Sequence, residues 1–81
     1  MTFDRRHMNA LAETIRAALA GKRSTLEVAR KVFRADSVEV ARCVAMVEGM
    51  ETMAWEIAAT LERSNPRFDR GKFASAAGLT V

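Results

Sequence analysis

Residues 37–63 read SVEVARCVAMVEGMETMAWEIAATLER. Val40, Cys43, Val44, Val47, Met50, Ala54, Ile57, Ala58 and Leu61 recur at helical spacing and form one continuous apolar stripe. Met46, Met53 and Trp55 widen that stripe to nearly half the helix circumference. The pattern predicts one long helix over about 37–63, about 40 Å in length at 1.5 Å per residue. Asp36-Ser37-Val38-Glu39 supplies its start signal, and Ser64-Asn65-Pro66 its stop. Gly49 falls on the polar side, and marks where this helix would bend or break.

Downstream, Asp69 is placed to cap a short helix over about 70–77. Phe68 and Phe73 have the spacing of a hydrophobic staple, and Gly78 that of a left-handed residue after the helix end. Upstream, residues 4–20 place Met8, Leu11, Ala12, Ile15, Ala18 and Leu19 on one stripe. Asp4 suits the N-cap and Gly21 the C-terminal stop. Ser24-Thr25-Leu26-Glu27 reads as a capping box, so a separate short helix is predicted over about 25–34, with Leu26, Ala29, Val32 and Phe33 inward. No segment alternates as a strand would. The expectation is a single all-α domain over residues 1–81, a small bundle of about four helices with the long helix 37–63 as its spine.

Composition narrows the function classes. The chain has 81 residues, 49% hydrophobic and 28% charged, with a single Cys and a single His. A lone Cys excludes an internal disulfide framework. One His and one Cys make a protein zinc site a poor fit, and a di-metal helical site would need the Glu-x-x-His pattern that is missing. No apolar run reaches the about 18 residues of a membrane span, and no signal-peptide core opens the chain, so a cytoplasmic protein without cofactor is expected. Cys43 lies on the apolar stripe as a small core residue, and His7 stands alone near the N-terminus. Glu48, Glu51, Glu56 and Glu62 do not pair on one wall, and the four glycines are scattered. The sequence therefore points away from an enzyme.

Two binding readings remain. Residues 1–42 hold nine basic and five acidic residues, for +4, whereas residues 43–63 hold one basic and four acidic, for −3. Residues 25–44, TLEVARKVFRADSVEVARCV, are similar to a helix-turn-helix DNA-binding unit, with Lys22, Arg23, Arg34 and Arg42 as phosphate contacts. Against that, the turn lacks Gly, the spacing from Ala29 to Val40 is one residue longer than the usual repressor pattern, and the second helix runs on and becomes acidic. The other reading is a protein-binding face. Met46, Met50, Met53 and Trp55 are residue types favoured at adaptable interfaces, with Arg30, Lys31 and Arg34 as an electrostatic supplement. The stripe is broader than the shorter helices can cover, so a homo-oligomer, a dimer, is expected to cover the surplus.

One resemblance bears on origin. The end of the chain, ATLERSNPRFDRGKFASAAGL, resembles the C-termini of small proteins encoded in prophages and other bacterial mobile elements. Asn65, Pro66, Phe68, Asp69, Arg70, Phe73 and Gly78 carry the match. The opening FDRRHMNALAETIRAAL is similar to their starts, and the middle of the chain is not covered. The resemblance implies a small phage or prophage protein. Such proteins bind and modulate or inhibit a host protein or protein–nucleic acid complex, anti-CRISPR inhibitors among them.

Overall fold

The computed structural model describes residues 5–79. It is all-α: α1 spans Arg5–Val32, α2 Val38–Ser64 and α3 Arg70–Ala76. Asp4, the expected first cap, lies outside the described residues.

The helix count is three rather than four, because α1 runs through both Gly21 and the Ser24–Glu27 motif. The physical reason is the seam. Ala12, Leu19 and Leu26 follow one another at seven-residue spacing, and all three are buried. A continuous helix carries Leu26 onto Val40 and Val47 in the same register. Burying a leucine side chain contributes about 1.5–3 kcal/mol, more than the about 1 kcal/mol that a mid-helix glycine costs. The local cap signal loses to this long-range burial, and the Thr25 hydroxyl instead donates to the Gly21 carbonyl at 3.0 Å.

Gly21 and Gly49 are both exposed and helical, and a Cβ added at either meets no atom within 4 Å. Gly21→Ala with Gly49→Ala is expected to stabilise the chain by about 2 kcal/mol. The thermal midpoint should rise by about 10 °C. Had Gly21 adopted the left-handed conformation of a helix stop, its change to Ala would destabilise instead. Thermal unfolding followed by circular dichroism separates the two.

α2 is continuous through Gly49. Its N-cap is Ser37, one residue later than the start signal suggests, and the Ser37 hydroxyl accepts from the Val40 N–H at 3.2 Å. At the far end Asn65 turns extended and ends the helix before Pro66. Its side-chain carbonyl then accepts from the Arg67 N–H at 3.0 Å, which redirects the chain. Asp69 caps α3 by accepting from the Lys72 N–H at 3.0 Å. The Phe68 and Phe73 rings lie 5.4 Å apart, as the staple spacing predicts. Gly78 has φ +76°; its N–H donates to Ser75 and that of Leu79 to Ala74, the paired bonds of a Schellman end.

α1 and α2 form an antiparallel hairpin, and α3 packs against both. Two core clusters result. One, beside the turn, joins Leu26 and Ala29 to Val40 and Val47. The larger joins Ala12, Leu19, Ala54 and Ala58 to Phe68, Phe73, Ala74, Ala77 and Leu79. The core is mostly alanine, and Leu19 is the one large side chain that is fully buried among the described residues. Close helix approach through alanine leaves little interior to fill, so large apolar side chains collect at the margins.

Candidate protein-docking surface at the hairpin tip

The tip of the hairpin comprises the last two turns of α1, residues 33–37 and the start of α2 as far as Arg42. Four large apolar side chains are exposed there: Val28 (58%), Val32 (68%), Phe33 (44%) and Val38 (61%). Val32 and Phe33 were expected to face inward, in the register of a separate helix. In the continuous α1 register Val32 falls beside the seam, and Phe33 lies beyond the last buried residue of α1, Ala29.

Cations surround these apolar groups. Arg30 and Lys31 occupy the last turn of α1, where their charge suits the negative end of the helix dipole. Arg34 follows and meets Asp36 at 3.5 Å. Both side chains are about four-fifths exposed or more, so solvent screens the pair and it contributes little to stability. Arg30, Lys31, Arg34 and Arg42 against Glu27, Asp36 and Glu39 give the tip a net charge of +1. The surface is therefore an apolar knob with a cationic edge, a form that suits a protein groove with acidic margins.

The residues expected to form one contact face do not share a surface. Met46 (47% exposed) and Met53 (61% exposed) stand on one flank of α2. Met50 lies at the inner edge of that flank, partly buried against the larger cluster. Trp55 follows Met46 by nine residues, half a turn away around the helix, and is partly buried against the same cluster. Arg30, Lys31 and Arg34 belong to the tip.

The four residues expected to contact DNA are likewise dispersed. Arg23 is engaged inside the molecule: one guanidinium nitrogen donates to the Gly78 carbonyl at 2.9 Å and the other to Glu51 at 3.2 Å. It ties α1 to α2 and to the end of α3. Lys22 is half-buried beside it on α1, Arg34 sits in the turn, and Arg42 is exposed on α2. Residues 25–32 are the last turns of a 28-residue helix, so the short first helix of a helix-turn-helix unit does not form.

Sequence reading missed the tip valines and the Arg23 clamp. Val28 and Val32 carried a usable signal, since both fall off the seven-residue seam once α1 is read as continuous. The clamp had none, because its partners are 28 and 55 residues away. Among the described residues no cluster of three or more His, Cys, Asp or Glu is placed to hold a metal, and no helix is long and apolar enough to cross a membrane. No family model, curated protein or solved structure matches the chain significantly.

Proposed function

We propose that this chain is a non-enzymatic protein-binding module. The tip of its hairpin docks into an apolar, acid-edged groove of a partner and modulates that partner by occlusion. The observation that carries this reading is the co-location of Val28, Val32, Phe33 and Val38, all exposed, with Arg30, Lys31 and Arg34. Solvated hairpin turns are ordinarily polar, and an exposed cluster of this kind marks an interaction site. The resemblance of both chain ends to small prophage proteins supports a host protein, or a protein–nucleic acid complex, as the target.

The test is affinity capture from bacterial lysate with and without nuclease, using the wild-type chain beside Phe33→Asp/Val38→Asp. A partner retained after nuclease and lost by at least tenfold with the double variant is the expected result; a change of that size corresponds to about 1.4 kcal/mol. Both positions are exposed, so the variant should keep its helical content. Recovery of nucleic acid alone, weakening steeply with salt and abolished by Arg34→Ala/Arg42→Ala, would replace this reading with direct DNA binding.

A further inference from the structure

The two long helices can be written as one set of heptads. On α1 the inward positions are Ala12, Leu19 and Leu26 (a) with Met8, Ile15, Lys22 and Ala29 (d). On α2 they are Val40, Val47, Ala54 and Leu61 (a) with Cys43, Met50 and Ile57 (d). The flanking rows then differ sharply. The e row of α1 is Asn9, Arg16, Arg23 and Arg30. The e side is closed: Arg23 meets Glu51, an e residue of α2, and both Arg16 and Arg23 lie beside Gly78 at the end of α3. The g row of α1 is Leu11, Ala18, Thr25 and Val32, and that of α2 is Met46, Met53 and Thr60 after Glu39 at the tip. In a two-helix seam the g positions ordinarily carry charge. Here, apart from Glu39 at the tip, they carry none, and only Leu11 is not exposed.

We infer that the g side is covered by a second copy of this chain, making a two-fold four-helix bundle. Three observations converge. Three apolar or small rows per heptad, a, d and g, suit a helix with two neighbours rather than one. The molecule is 46 Å long, and the g row of α1 from Leu11 to Val32 takes up about 32 Å of that at 1.5 Å per residue; two helix diameters give this side a width of about 20 Å. That strip of about 640 Å² approaches the about 800 Å² per partner of a stable interface. Its relief is self-complementary, since Ala18 and Thr25 make a shallow row on α1 and Met46 and Met53 a raised row on α2. A two-fold axis along the bundle lays each α2 methionine row on the partner's α1, antiparallel to it. Both hairpin tips then emerge at the same end. From Met8 to Leu61, Lys22 is the one charge on the inward rows, beyond Arg5 at the start of α1; the stem of a half-buried lysine can lie along the apolar strip with its ammonium in water.

Sedimentation equilibrium of the full chain across a concentration series decides the matter. The expected mass is twice the 8.9 kDa chain. Met53→Glu and, independently, Ala18→Arg are each expected to weaken the dimer by about 100-fold, since two-fold symmetry buries each new charge twice. Both sites are exposed in the single chain, so circular dichroism should show the helices intact. Thr52→Glu, on the outer side of α2, should leave the dimer unchanged. Lys22→Met should tighten it about tenfold by removing the partly desolvated ammonium. The tip variant Phe33→Asp/Val38→Asp should remain dimeric, which separates this inference from the docking role of the tip. A single-chain mass up to hundreds of micromolar, or a dimer indifferent to both Met53→Glu and Ala18→Arg, would overturn it.

Discussion

Leu19→Ala is expected to destabilise the folded chain by about 3–4 kcal/mol, in the middle of the range for a buried leucine. Leu19 is 0% exposed, and the buried residues around it on α1 and α2 are Ala12, Ala54 and Ala58. Those alanines have no side-chain freedom with which to collapse into the space left behind, so only the larger members of the cluster, Phe73 and Met50 among them, could shift into it, and the cavity that remains adds its cost to the lost transfer energy. A chain of this size has a total stability on the order of 4–12 kcal/mol. The substitution would therefore leave a marginal fold, with the thermal midpoint lowered by about 15–20 °C. Urea unfolding at constant slope measures it directly. A loss below about 1 kcal/mol would mean that the alanine-lined seam closes around the gap, and that Leu19 is not its keystone.

Phe73→Ala should cost about 3–5 kcal/mol by the same accounting, and its effect should be spatially graded. Phe73 is 5% exposed and lies against the Phe68 ring, joining α3 to the hairpin. α3 has seven residues, too few to be helical without that anchor. Amide exchange should lose protection first at Ala77, Gly78 and Leu79, whose N–H groups close the end of α3. The cluster of Leu26, Ala29, Val40 and Val47 beside the turn makes no use of Phe73, and its amides should retain protection longest. Exchange measured residue by residue checks this. Uniform loss across α1 and α2 would show instead that the three helices unfold as one unit.

The elements that could be read from sequence are those whose signal and physical cause are both local. Helix α2 carries its cap at Ser37, its apolar repeat and its stop at Asn65-Pro66 within its own length. The segment from Asn65 to Leu79 is likewise a set of contacts between near neighbours: a side-chain turn, a cap, a staple of two phenylalanines and a glycine at positive φ. Helix α1 is the opposite case. Gly21 and Ser24–Glu27 are credible local stop and start signals, and each is worth about 1 kcal/mol. The docking of Leu26 onto α2 outweighs them, and that contact is invisible until α1 and α2 are paired.

The candidate surface divides in the same way. Its residue types, methionines, exposed valines and a run of cations, are evident in the sequence, but their grouping is not. Helical spacing of 100° per residue already separates Met46 from Trp55. What it cannot supply is which side α3 covers. Arg23 settles that by bonding at once to Glu51 and to the Gly78 carbonyl, closing the e side and leaving the g side open. The amino-acid sequence by itself thus determined that the chain is helical, where α2 and α3 begin and end, and which residues are apolar enough to seek cover. Only the tertiary structure decided that α1 is one helix, which face α3 occupies and where the surplus apolar groups emerge. Local propensities are worth about 1 kcal/mol each, whereas packing between distant segments sums many contacts and prevails where the two conflict.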